Sequence, residues 1–142
     1  MEIQKINYMQ EKKVSAVIVK EFELELNQEK YSFKIGKFPN QTQILFSVNP
    51  KNNSLLLYED IYSLDDLCKI NPGFKIFNSI SDFINALSEM MNNKKIIIEK
   101  NDNDNLNLKL CFLITNIVGK EDKVLIHLNL YALLEKEGIK NF

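Results

Sequence analysis

The sequence predicts an α+β fold: a small antiparallel β-sandwich of about seven strands with a helix-turn-helix insertion between strands four and five. Three observations predict it. Short runs in which every second residue is apolar lie on both sides of a central segment. Inside that segment the apolar spacing becomes helical twice, each time after a serine with an aspartate three positions later. The two helices come as one pair and do not alternate with the strands, so a doubly wound nucleotide-binding fold is not expected.

The elements follow in order. Residues 1–13 are polar and rich in Lys and Gln, and read as a flexible N-terminal arm. From Val14 to Leu26 the chain reads as a strand, with Phe22, Leu24 and Leu26 on one face and Glu21, Glu23 and Glu25 on the other. A turn over Asn27-Gln28-Glu29-Lys30 leads to Tyr31, Phe33 and Ile35, giving a hairpin with one buried face; on its wet face Lys34 is expected opposite the glutamates. Pro39-Asn40 breaks this strand, and Ile44, Phe46 and Val48 mark the next. After the turn cluster Asn49–Asn53 a fourth strand runs from Leu55 to about Ile61.

Ser63 suits a helix N-cap, with Asp65 and Asp66 favourable at the positive helix end. Leu64, Leu67, Cys68 and Ile70 share one side, and Pro72-Gly73 stops this helix. The second helix starts near Ser79 and ends at Asn92-Asn93. Its apolar stripe is Ile80, Phe83, Ile84, Leu87, Met90 and Met91, with Ser81, Asp82, Asn85, Ser88 and Glu89 facing out. Ile96 to Glu99 is a strand, Asn101–Asn105 a loop, and Leu106 to Ile114 a strand with Leu106, Leu108, Leu110, Phe112 and Ile114 inward. The last strand carries Val124, Ile126, Leu128 and Leu130. The β-sandwich domain thus covers 14–131, and 132–142 forms a short tail whose start at Tyr131 suits a helical turn stopped near Gly138.

Composition narrows function. The 142 residues fit one domain, and 45% hydrophobic with 26% charged residues is ordinary for a globular chain. The formal net charge is −1 and every basic residue is Lys, so neither nucleic acid nor an anionic membrane is an expected partner, and bidentate Arg forks onto phosphate are missing. The first residues lack the apolar core of a secretory signal, and no run is long enough for a membrane helix. A cytoplasmic setting with reduced Cys68 and Cys111 is therefore expected, and the sequons at Asn40 and Asn52 carry no weight there.

The segment YEDIYSLDDLCKINPGFKIFNSISDFINALSEMMNNKKIIIEK, residues 58–100, resembles a module of proteins from AT-rich protists: an aromatic strand end, an S-L-x-D-L helix start and a K-I-N-x-x-F-x-I-F-x-S-I junction. Over roughly residues 14–130 the element order is similar to the head domain shared by the DNA end-joining scaffold protein and the centriolar cartwheel protein. The resemblance implies a seven-stranded head with helices between strands four and five. It also implies a cytoskeletal, ciliary or centriolar setting. Where those families continue into a coiled-coil stalk, YALLEKEGIKNF carries no heptads, so dimerisation through a stalk is not expected. In cartwheel heads an apolar residue in the loop between the last two strands inserts into a neighbouring head. The matching loop is Thr115–Lys120, which makes Ile117 and Val118 the candidate protein interface. Two arrangements stay open: an exposed apolar tip, or a strand end folded back inward.

No residue pattern points to catalysis. His127 is the single histidine and belongs to the less apolar face of its strand, where a surface role is expected. Cys68 and Cys111 lack metal spacing. Asn101–Asn105 imitates the start of a calcium loop without its glycine or its closing glutamate. The glutamate row suits a solvated sheet face, and Met90 and Met91 suit the core better than a binding groove. No phosphate loop or nucleophile elbow occurs. The expected function is that of a non-enzymatic, cytoplasmic, interaction or structural subunit of a larger complex or homo-oligomer. No cofactor and no metal are expected. The alternatives are a small-molecule or lipid carrier, or a DNA-repair scaffold.

Overall fold

The computed structural model describes residues 16–53, 55–100 and 106–130. The expected arm at 1–13, the start of the first strand at Val14, the Asn101–Asn105 loop and the tail from Tyr131 through Gly138 lie outside the described residues. Seven strands run in the order β1 (Val17–Leu26), β2 (Glu29–Lys37), β3 (Gln43–Pro50), β4 (Tyr58–Ser63), β5 (Ile96–Glu99), β6 (Asn107–Thr115) and β7 (Glu121–Leu130). Between β4 and β5 lie α1 (Leu64–Ile70), a 3-10 turn (Pro72–Ile76) and α2 (Ile80–Asn92).

All strands pair antiparallel in one sheet of order β1-β2-β3-β4-β7-β6-β5. The seven antiparallel strands expected from the sequence are present, and the expected small sandwich takes the form of a single sheet. The β1–β4 meander joins the β5–β7 meander through β4 and β7, whose ladder holds only Tyr58↔Leu130 and Glu59↔Asn129. Beyond that short seam the Tyr62 hydroxyl donates to the His127 carbonyl at 2.5 Å, and Asn129 Nδ2 donates to Asp60 at 3.3 Å. The outer strands β1 and β5 approach each other, so the sheet nearly closes.

Turn chemistry sets the first hairpin. Leu26 pairs with Glu29, leaving a two-residue turn of Asn27 and Gln28 with φ of 52° and 68°. That is the twist-matched, doubly left-handed turn that suits hairpins. It replaces the four-residue turn expected from the sequence, where no glycine announces it. Lys34 does stand opposite Glu21 in register. The ion pairs of Glu23, however, go to Lys51 at 2.6 Å and Lys30 at 3.9 Å. Near the start of edge strand β1 the register shifts between Ile18 and Lys20, a bulge of the kind that blunts an open edge.

Local capping fixes the helices. The Ser63 side chain accepts from the Asp66 amide at 3.0 Å while Asp66 accepts from the Ser63 amide at 2.9 Å, a complete capping box worth about 1 kcal/mol. Ser79 accepts from the Asp82 amide at 3.1 Å. Pro72-Gly73 does not simply end α1; it opens the 3-10 turn, with Asn71 Oδ1 accepting from the Gly73 amide at 2.7 Å. A Cβ on Gly73 would meet Ile114 at 2.8 Å and Asn71 Oδ1 at 2.9 Å, so the turn packs against β6 only because this residue is glycine.

The core lies between the inner sheet face and the helices. Tyr31, Phe33, Ile35, Ile44, Phe46, Val48, Tyr58, Leu108, Leu110, Phe112, Ile126 and Leu128 enter it from the strands, and Leu67, Phe74, Ile80, Phe83, Ile84 and Leu87 from the helical segment. Phe22 and Leu26 of the expected inward set are partly buried at its margin. Leu106, expected inward, is exposed, and β4 begins at Tyr58 rather than Leu55, itself exposed. Both residues precede their strands and lie outside the sheet ladders. Ser81 and Ser88 do not simply face out: Lys37 Nζ donates to Ser81 at 2.8 Å and Lys20 Nζ to Ser88 at 3.0 Å, tying α2 to β1 and β2.

Two stability changes are expected in urea unfolding. Gln28→Gly relieves a left-handed side-chain residue and raises stability by about 0.5–1 kcal/mol. Gly73→Ala lowers it by about 1–3 kcal/mol because the turn must move off Ile114.

Candidate protein-interaction site

Strands β6 and β7 stay in register as far as Thr115↔Glu121, and the chain reverses over residues 116–120. The Asn116 amide donates to the Lys120 carbonyl at 2.7 Å, and the Gly119 amide donates to the Asn116 carbonyl at 3.0 Å. Gly119 takes φ +84°, which a side chain rarely adopts, and nothing lies within 4 Å of where its Cβ would be. This tight loop pushes the two residues between outward. Ile117 is 100% exposed and Val118 71% exposed. Of the two arrangements open from the sequence, the structure has the exposed apolar tip. Burying two such side chains against a partner is favourable, and leaving them in water is not.

The ground behind the tip is charged and fixed. Glu121 pairs with Lys95, which precedes β5, and Lys123 pairs with Glu99 of β5. Lys120 is exposed beside the tip. The hairpin projects from the end of the sheet opposite a shallow, open depression lined by Asn27, Gln28, Glu29, Lys30, Lys51 and Asn52. Lys51, which lines that depression, is already paired with Glu23 outside it.

The other residues singled out by chemistry are not brought together. His127 is exposed on the outer face of β7, across from Lys109. Cys68 packs at the edge of the core on α1, whereas Cys111 is wholly buried on the outer face of β6, beside the Lys123–Glu99 pair. Burial pushes the Cys111 thiol above its ordinary value, Glu99 adds to the rise, and Lys123 opposes it. Glu21, Glu23 and Glu25 are exposed on the outer face of β1, and the Lys51 hydrogen bond and charge hold the Glu23 carboxyl below its ordinary value. Met90 and Met91 are half-buried against the core. Among the described residues no group of three or more His, Cys, Asp or Glu is placed to hold a metal ion, and no helix is long and apolar enough to cross a membrane.

A carrier would need space between sheet and helices. Phe83, Leu87 and Phe112 bound that space and are fully buried, with the Phe83 and Phe112 rings 6.1 Å apart and Phe46 edge-on to both.

No protein-family model and no curated protein matches the sequence. Solved structures do match. The head domain of human CCDC61 superposes with a TM-score of 0.54 at 6% identity, over 78% of this chain and 94% of that one. An N-terminal fragment of Drosophila melanogaster Sas-6, dimerised via its coiled-coil domain, gives 0.50 at 11% identity, over 89% of this chain and 76% of the fragment. The chain shares their fold. The head-domain resemblance read from the sequence is upheld at that level, and its DNA end-joining side is not shown.

Thiol chemistry checks the outer face. Cys111 is expected to resist alkylation in the folded protein at mildly alkaline pH and to react once urea unfolds the chain. Its unfolded pKa lies near 8.5 and its folded pKa is higher. Above about pH 8.5 the unfolded state therefore loses this proton first, and stability contributed by Cys111 falls as pH rises. A Cys111→Ala variant followed by urea unfolding between pH 7 and 10 reads that slope as a difference from wild type.

Proposed function

We propose that this chain is a non-enzymatic structural subunit that docks onto other proteins, or onto a second copy of itself, through Ile117 and Val118. The observation that carries the reading is a wholly exposed isoleucine at the tip of a hairpin whose strands are fully paired behind it. Exposed apolar residues on a rigid projection suit insertion into a partner's apolar recess, where a few well-buried side chains supply most of the binding energy. The shared head-domain fold is compatible with a role in an assembly: the Sas-6 fragment of that fold is a dimer, although there it is the coiled-coil domain that joins the copies. A cytoplasmic, cytoskeleton-associated place, centriolar or ciliary, follows from the resemblance of residues 58–100 and of the element order. A net charge of −1 with no arginine weighs against a DNA scaffold.

Affinity purification from the cells that make the protein, with partners identified by mass spectrometry, tests the reading. Partner proteins or a second copy are expected with the wild type and are lost with Ile117→Asp. The unfolding midpoint of the variant stays at the wild-type value, since the replaced side chain touches nothing. A protein that runs alone as a monomer, and is unaltered by Ile117→Asp, overturns it.

A further inference from the structure

We propose that Asn116 is the residue that sets the shape in which Ile117 and Val118 are displayed; the proposal rests on the docking role of the tip and deepens it. The Asn116 carbonyl-type oxygen Oδ1 accepts from two amides of the loop, Val118 at 3.1 Å and Lys120 at 3.0 Å. Its Nδ2 donates to Asp122 Oδ1 at 2.9 Å, anchoring the same side chain to β7. The main chain of Asn116 adds its bonds to Lys120 and Gly119. One half-buried side chain thus joins both limbs of the hairpin and the loop between them.

Nothing else described in the loop performs this service. Ile117, Val118, Gly119 and Lys120 are all exposed, so the loop has no apolar packing of its own to hold it. A short loop with a glycine and no side-chain anchor samples many conformations, and docking must then order it. Asn116 meets that ordering cost in the free protein, which is how preorganisation strengthens binding without adding a contact. It acts through the tip and need not touch the partner, so it is a positioning residue.

The chemistry of the amide makes a specific test. Asn116→Ala removes all three side-chain bonds. Asn116→Asp keeps both acceptor contacts to the amides but sets a carboxylate against Asp122. Combining Asn116→Asp with Asp122→Asn restores the donor–acceptor pair with its direction reversed. Amide hydrogen exchange at Val118 and Lys120, measured on the whole chain, is expected to quicken about tenfold in Asn116→Ala and in Asn116→Asp, and to return toward wild type in the paired exchange. Self-association or partner binding, measured by sedimentation, is expected to weaken about tenfold in Asn116→Ala, with Ile117 and Val118 intact.

Exchange at those two amides that is the same in wild type and Asn116→Ala overturns the proposal. So does binding at wild-type strength in Asn116→Ala when Ile117→Asp abolishes it. Should Asn116→Ala fold poorly, the single Asn116→Asp and the paired exchange carry the comparison, and no rescue by the pair overturns the proposal. Binding untouched by Ile117→Asp sinks the docking role instead, and the exchange rates then decide the assignment of Asn116 by themselves.

Discussion

The fold closes around the ring of Phe83 in α2. That ring lies 5.7 Å from Phe74 and 5.1 Å from Phe77, both edge-on, and 6.2 Å from Phe46 and 6.1 Å from Phe112. One side chain therefore touches the 3-10 turn, the segment after it, β3 and β6. The hydrogen-bonded seam between the two meanders is only two residue pairs long. The aromatic cluster bridges the meanders where the ladder does not, and each T-shaped pair adds about 0.5–1.5 kcal/mol to the burial of its area.

Committing both helices to this junction has a functional consequence. The inner sheet face and most of the apolar side chains of α1 and α2 pack on each other, Ile70 of α1 remaining exposed, and the tie of Lys37 to Ser81 and Lys20 to Ser88 fixes α2 against the sheet. Contact with other molecules falls to what the closed body leaves outside. In the docking role proposed for it, the β6–β7 hairpin has a ladder continuous to the last pair before the loop and two exposed apolar side chains at its tip.

Local signals were the legible ones. Ser63 with Asp66 and Ser79 with Asp82 define helix starts through bonds within four residues, so sequence spacing suffices to find them. Alternation placed Phe33, Phe46, Phe112 and Ile126 on inner faces for the same reason. A turn at Asn27–Lys30 was legible, but its two-residue length was not, because the left-handed residues Asn27 and Gln28 are not glycine and only the register of β1 on β2 places them there. At the candidate site, Ile117 and Val118 were legible as apolar residues in a loop. Asn116, for which an ordering role is proposed, is not among the candidates the sequence offers, although an asparagine two residues before a loop amide is the usual signature of such a side-chain turn.

The sequence by itself determined the α+β class, the order of four strands, two helices and three strands, both N-caps, and the inward-facing residues of β2, β3, β6 and β7. These depend on contacts between near neighbours and on a period of two or 3.6. Tertiary structure alone decided that β4 pairs with β7 to make one nearly closed sheet, that Gly73 must stay bare against Ile114, and that Ile117 stands in water. Each of these depends on where distant parts of the chain come to lie, and no local period records that.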